Sequence, residues 1–227
     1  MKRELRVGVL ISGRGSNLEA LAKAFSTEES SVVISCVISN NAEARGLLIA
    51  QSYGIPTFVV KRKPLDIEHI STVLREHDVD LVCLAGFMSI LPEKFVTDWH
   101  HKIINIHPSL LPSFKGLNAQ EQAYKAGVKI AGCTLHYVHP ELDAGPIIMQ
   151  AAVPVLREDT AESLASRILA AEHVCYPKGV KLIAQGKIKL CDDGIVQCTG
   201  EDDLFLFQVV KELLLNTLQP SRTKITL

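Results

Sequence analysis

An amide and an imidazole stand two residues apart in Asn105-Ile106-His107-Pro108-Ser109-Leu110-Leu111-Pro112, at the end of an apolar run. In extended backbone that spacing puts both side chains on one face. An amide N–H and an imidazole so placed can stabilise developing negative charge and move a proton, although single residues of these types at a strand end also serve to brace the next loop. Leu142-Asp143-Ala144-Gly145-Pro146 adds a carboxylate in a glycine and proline loop between two strand patterns. Beside His107 it can orient the ring and hold it protonated; alone it is an ordinary turn Asp bonded to its own backbone.

A third segment, Ser12-Gly13-Arg14-Gly15-Ser16-Asn17, joins an apolar run to a helical pattern. Free backbone N–H groups and the positive end of a helix favour an anion there, so a mononucleotide phosphate fits. The alternative is a tight turn with Ser16 or Asn17 as the helix cap. Leu18 stands where a dinucleotide fingerprint has its third glycine, and no Gly-Lys-Ser/Thr follows as in a Walker loop. A G-x-S-x-G nucleophile elbow is absent, and His107, His136, His139 and Asp143 lack a recognised metal-ligand spacing, so no metal is expected.

The elements that must hold these segments follow from hydrophobic periodicity. Strand patterns over Leu5–Ile11, 32–38, 57–60 and 79–84 alternate with helical patterns over 18–25, 43–53 and 66–77. Repeated βα units close through right-handed crossovers and form a mainly parallel sheet covered on both faces, a doubly wound Rossmann-like α/β fold. After Gly86 come a short helix over 92–98, a strand over 102–106, a proline-rich loop, a helix over 118–126, strands near 132–138 and 147–153, and a long helix over about 160–185. This half reads as mixed α/β. Functional groups of open sheets gather at the C-terminal ends of strands, where Asn105 and His107 fall.

The expected organisation is one domain over 1–190, with a first half of about 1–100 and a second of about 101–190, and an extension over 191–227. In the extension Asp192-Asp193-Gly194 reads as a turn, and one amphipathic helix over 202–218 carries Phe205, Val209, Val210, Leu213 and Leu214 on its apolar face. Lys plus Arg number 24 and Asp plus Glu 25, a balance with no field for holding nucleic acid. Six cysteines form no C-x-x-C, and no run reaches the roughly 18 to 20 apolar residues of a membrane span. A soluble, cytoplasmic protein is expected.

Taken together, Ile11 through Asn17, Leu84-Ala85-Gly86-Phe87-Met88, the Asn105 to Pro112 segment and Leu142 to Pro146 resemble the phosphoribosylglycinamide formyltransferase family over residues 5–190. The resemblance implies a Rossmann-like formyltransferase domain, with nucleotide in the N-terminal half and folate toward the C-terminal half. It implies formyl transfer from 10-formyltetrahydrofolate, as cosubstrate, to the amine of glycinamide ribonucleotide, in a monomer or homodimer. By motif matching, Gly15, Ser16 and Asn17 bind phosphate, and Glu172 meets the ribosyl side. Asn105, His107 and Asp143 are catalytic. Met88, Ser89, Ile90, Leu91, Asn105, His139, Pro140, Glu141, Leu142 and Asp143 line the folate pocket.

Three departures from the family pattern are visible. Ser89 replaces a frequent Arg, Lys61-Arg62-Lys63-Pro64 aligns loosely with a basic loop, and Asn118 and Gln120 stand where histidines are common. Rival readings are a formyltetrahydrofolate deformylase, usually with an extra N-terminal domain, and a methionyl-tRNA formyltransferase, which needs a basic C-terminal RNA-binding domain. From another class comes a non-catalytic nucleotide-binding module.

Overall fold

The computed structural model describes residues 3–27 and 29–199. In the first half, β1 (Leu5–Ile11), β2 (Val32–Ser39), β3 (Thr57–Val59) and β4 (Leu81–Leu84) alternate with α1 (Ser16–Phe25), α2 (Arg45–Ser52) and α3 (Ile67–Glu76). The second half holds α4 (Glu93–Asp98), β5 (Ile103–His107), α5 (Ala119–Lys125), β6 (Ile130–Tyr137), β7 (Ile147–Pro154) and α6 (Ala161–Ala184). A hairpin of β8 (Ile188–Leu190) and β9 (Val196–Cys198) follows.

The seven-stranded sheet has the order β3-β2-β1-β4-β5-β6-β7. Pairing is parallel from β3 through β5 and antiparallel at β5/β6 and β6/β7. The doubly wound sheet with a mixed second half therefore stands as expected. The chain winds outward from β1 to β3, then returns to the other side of β1 for β4. That reversal opens a crevice at the C-terminal ends of β1 and β4, the usual ligand position in such sheets.

Alternation along the strands divides the core in two. Val7, Val9 and Ile11 share one buried cluster with Leu18, Leu21, Leu47, Ile168 and Tyr176, while Leu10 joins Ile70, Leu74, Phe95 and Val96 on the other face. Helices α1, α2 and α6 thus cover one face, and α3 and α4 the other. No described residue of β6 or β7 enters the α3/α4 cluster. Helical cover on that face stops at β5, leaving the far strands to loops.

Most helix ends fall one or two residues inside the expected ranges because the end residues act as caps. Asp66 accepts from His69 N–H, and Thr160 and Ser163 form a reciprocal capping box. The hairpin was not anticipated. Its Asp192-Asp193-Gly194 turn is as expected, yet the pair spans residue 190, and Ile188, Val196 and Cys198 pack against the α6-side core. The expected domain edge at 190 consequently falls inside a paired element. The helix expected over 202–218 lies outside the described residues.

Candidate active site

Ile104 and Ile106 of β5 and Cys133, Leu135 and Tyr137 of β6 enter the α6-side core. Strand alternation then puts Asn105, His107, Thr134 and His136 on the opposite face, where no helix covers them. Asn105 lies directly across from His136, and His107 across from Thr134. Thr134 anchors the loop that leaves the site: its hydroxyl donates to Ser109 O at 2.7 Å and accepts from Leu111 N–H at 3.0 Å.

Asp143 reaches this face from the β6–β7 loop. Its Oδ2 lies 3.4 Å from His107 Nδ1 and accepts from Gly116 N–H at 2.8 Å, and its Oδ1 lies 3.9 Å from His136 Nε2. The loop is held open for it by two features. Gly145 leaves no room for a side chain against the carbonyl of Tyr137, and Asp143 itself is left-handed at φ 48. A non-glycine residue there stores strain of the kind concentrated at functional sites.

His107 is 5% exposed, and its Nε2 donates to the carbonyl of Phe114 at 2.9 Å. Phe114 O thus fixes a proton on Nε2, and Asp143 Oδ2 is placed to accept from Nδ1 whenever that nitrogen carries one. The sequence expectation of His107 as a donor to substrate therefore requires an exchange of partner, from Phe114 O to a substrate oxygen.

His136, considered from sequence only as a metal ligand, has a different position. Its Nδ1 donates to Tyr137 O at 2.9 Å, so Nε2 carries a lone pair and accepts from Asn105 Nδ2 at 3.2 Å. Burial lowers its pKa, against the opposing bond to Tyr137 and the charge of Asp143, which favours the neutral ring that this bond needs. One Asn105 N–H is thereby fixed and the other is left to point elsewhere. A buried His facing a strand-end Asn was the available signal, readable only once the β5/β6 register is known. Among the described residues no cluster of His, Cys, Asp and Glu could hold a metal ion.

The glycine turn lies across the crevice. Gly15 is the N-cap of α1 at φ 77 with no side-chain cap bond, so neither Ser16 nor Asn17 caps the helix and the first-turn N–H groups face outward. Asn17 instead donates to Glu172 Oε2 at 2.7 Å. Glu172 is brought there by α6, whose Tyr176 one turn later bonds the carbonyls of Leu84 and Ile104 at 3.1 and 3.4 Å. Burial pushes the Glu172 carboxyl up to about 7, opposed by Asn17 and Arg14. A Cβ on Gly15 would meet Gly46 Cα at 2.5 Å. Gly15→Ala is accordingly expected to cost about 1 to 3 kcal/mol of stability, read by thermal denaturation. An unchanged melting temperature would mean that α2 yields at Gly46.

The expected folate-side residues divide. Met88, Ile90 and Leu142 are 58%, 85% and 58% exposed, an apolar surface suited to a flat heterocycle. His139, Pro140 and Glu141 are exposed on the loop before Asp143, and Ser89 is half-buried. Leu91 is buried with Leu84, Phe95 and Val96, so the structure does not bring it to the surface beside Met88. Open concavities of about 350 Å³, lined by Asn118, Glu121 and Glu162 among others, and of about 200 Å³, lined by Phe25, Ile34 and Tyr53 among others, include none of these groups. Convergent side chains mark the site better than volume does. Burial pushes the thiols of Cys36 and Cys83 up to about 12, which removes them as nucleophiles.

Comparison with known proteins agrees with this geometry. The formyl transferase family matches residues 5–180. A human protein described as trifunctional purine biosynthetic protein adenosine-3 is 49% identical over 206 residues, covering 88% of this chain and 20% of its own length. The chain thus spans about a fifth of that relative. Phosphoribosylglycinamide formyltransferase of Haemophilus influenzae is 40% identical over 193 residues, covering 83% of this chain and 91% of its own. The crystal structure of phosphoribosylglycinamide formyltransferase from Anaplasma phagocytophilum superposes with a TM-score of 0.87 at 98% identity, covering 88% of this chain and 96% of that one.

Proposed function

The chain belongs to the formyl transferase family, and on that premise we propose that it transfers the formyl group of 10-formyltetrahydrofolate to the amine of glycinamide ribonucleotide. The observation that carries the reading is the constellation on the uncovered face: Asn105 held by neutral His136, and His107 held by Asp143, all within one loop-covered corner of the sheet.

The donor supplies an activated formyl carbon when bound, against the exposed apolar side chains of Met88, Ile90 and Leu142. Attack by the neutral amine puts negative charge on the formyl oxygen. The free N–H of Asn105 and the imidazolium of His107 are the donors for that charge, and an oxyanion is a stronger acceptor than the neutral Phe114 carbonyl it displaces. Asp143 keeps the imidazolium charged and oriented, and is placed to pass the amine proton, directly or through water, to the folate nitrogen. The oxyanion then collapses, the bond from the formyl carbon to that nitrogen breaks, and tetrahydrofolate leaves with the proton. On the nucleotide side, the uncapped N–H groups around Gly15, Ser16 and Asn17 fit a phosphate, and Glu172 fits ribosyl hydroxyls. The substrates are small molecules. Among the described residues no helix is long and apolar enough to cross a membrane.

Following folate absorbance with and without glycinamide ribonucleotide tests the assignment. Loss of the formyl group only with the amine present is expected. Equal loss without it would make the protein a hydrolase, and no loss in either case would leave only nucleotide binding.

A further inference from the structure

Two adjacent asparagines at the end of β2 reach in different directions. Asn41 Nδ2 donates to Ser12 O at 3.2 Å, and its Oδ1 accepts from Glu43 N–H at 3.1 Å. Asn40, only 3% exposed, donates from Nδ2 to Ser89 Oγ at 2.8 Å. Ser12 closes the ring by accepting Met88 N–H on its hydroxyl at 2.7 Å. Because β2, β1 and β4 are neighbours in the sheet, these bonds tie the glycine turn after β1 to the segment after β4 across the crevice mouth.

We infer that Ser12, Asn40 and Asn41 are positioning residues that set the spacing between the nucleotide turn and the donor-side segment 86–91. The inference rests on the formyl-transfer reading above. Acyl transfer between two bound molecules needs the reacting atoms held at about 3 to 3.5 Å, and misplacement of one binding segment degrades that geometry. Between Phe87, which packs half-buried against the α3/α4 core, and Leu91, the segment has little else to hold it. Gly86 is left-handed at φ 72, and Met88 and Ile90 are largely exposed, whereas Leu91 is the next buried anchor. Asn40 fits a bracing role better than a core role. A fully buried amide inside an apolar cluster would be costly unless bonded, and its Oδ1 has no partner among the described residues. Retaining it at that cost is intelligible when the Ser89 bond is what it supplies.

The test uses the full chain with Asn40→Ala, Ser89→Ala and the double variant, assayed with both substrates varied. Loss of one neutral hydrogen bond predicts a KM for 10-formyltetrahydrofolate raised about five- to tenfold. The nucleotide KM should stay within about twofold, and the double variant should match the singles, as for two ends of one bond. Ser89→Thr, which keeps the hydroxyl, should restore the donor KM. Calorimetric binding of tetrahydrofolate gives the same ranking without turnover. Unchanged donor KM in both singles would overturn the inference, and so would additive effects, which would mean that Ser89 meets the donor independently of Asn40. Ser89 is half-buried, so its variant keeps the test open if Asn40→Ala does not fold. Should the parent protein neither bind tetrahydrofolate nor transfer formyl, the functional reading fails; if it does both and the variants match it, only the brace fails.

Discussion

Asp143→Asn is expected to lower kcat by about 10²- to 10³-fold while leaving the nucleotide KM within about twofold. The substitution preserves shape, so an Asn oxygen can still accept the Gly116 N–H that now bonds Oδ2 at 2.8 Å. What it removes is the charge 3.4 Å from His107 Nδ1. The His107 side chain is only 5% exposed, so its imidazolium has little water to replace that carboxylate. A neutral His107 would still donate to Phe114 O from Nε2, and would then lack the positive charge that makes exchange toward an oxyanion favourable. His107→Ala should give a loss of the same order, with the combined variant no worse than the more severe single. Steady-state kinetics on both substrates, with melting curves to verify the fold, decides the matter. Near-normal turnover in Asp143→Asn would remove the carboxylate from the mechanism and leave it as a loop brace for Gly116.

The parts of this site that the sequence displayed, and those it hid, divide on a physical line. Alternating apolar runs joined by glycine turns were enough to place β1 through β5, because period and turn chemistry are local properties. Asn105 and His107 could be put on one face because two-residue spacing in a strand leaves no choice. Whether that face was covered could not be read. The answer depends on the sheet order and on α3 and α4 ending their cover at β5, a long-range matter. The partner of Asn105 was hidden for the same reason: the β5/β6 register sets Asn105 against His136, and register is written in no single segment. Asn40 and Ser12 bond across three strands and resemble ordinary turn residues in sequence.

Two local features were not legible in the sequence, for identifiable reasons. Ser16 and Asn17 have the composition of helix caps, yet Gly15 takes the cap position in a left-handed conformation, which frees Asn17 to reach Glu172. Leu91 follows three residues of the expected donor pocket, but the segment turns inward there and the side chain joins the α3/α4 core. The β8/β9 hairpin escaped notice because three-residue strands carry too little periodicity to register, although its turn was plain.

Glu172→Gln should make the protein more stable at pH 8 and at the same time poorer at binding nucleotide. Glu172 sits 5% exposed, with its carboxyl raised from 4.5 to about 7 chiefly by burial, against the opposing pull of Asn17 and Arg14. A carboxyl whose folded value is raised binds its proton more tightly in the folded state than in the unfolded one. Its contribution to stability is then fully present below the unfolded value of 4.5 and is lost as pH rises through about 7. At 1.4 kcal/mol per pH unit the loss amounts to about 3 kcal/mol. Glutamine keeps an acceptor for Asn17 Nδ2 and never ionises, so the variant should equal the parent below pH 4.5 and exceed it by about 3 kcal/mol above pH 7. For a chain of this size that is roughly 2 to 4 °C of melting temperature per kcal/mol. Binding should move the other way. A carboxylate accepting ribosyl hydroxyls makes charge-assisted bonds, and their loss is worth about tenfold or more in nucleotide affinity. The parent's affinity should also fall as pH drops below about 7, while that of the variant stays flat. Melting curves and nucleotide titrations at pH 5 and pH 8 test both halves. A gain in stability with unchanged affinity would make Glu172 a partner of Asn17 alone; no gain in stability would mean that water or a rearranged Arg14 already solvates the charge. The expected opposition of the two effects is what a buried ionisable group retained for binding would produce, a carboxylate that destabilises the fold and is kept for its bonds to a ligand.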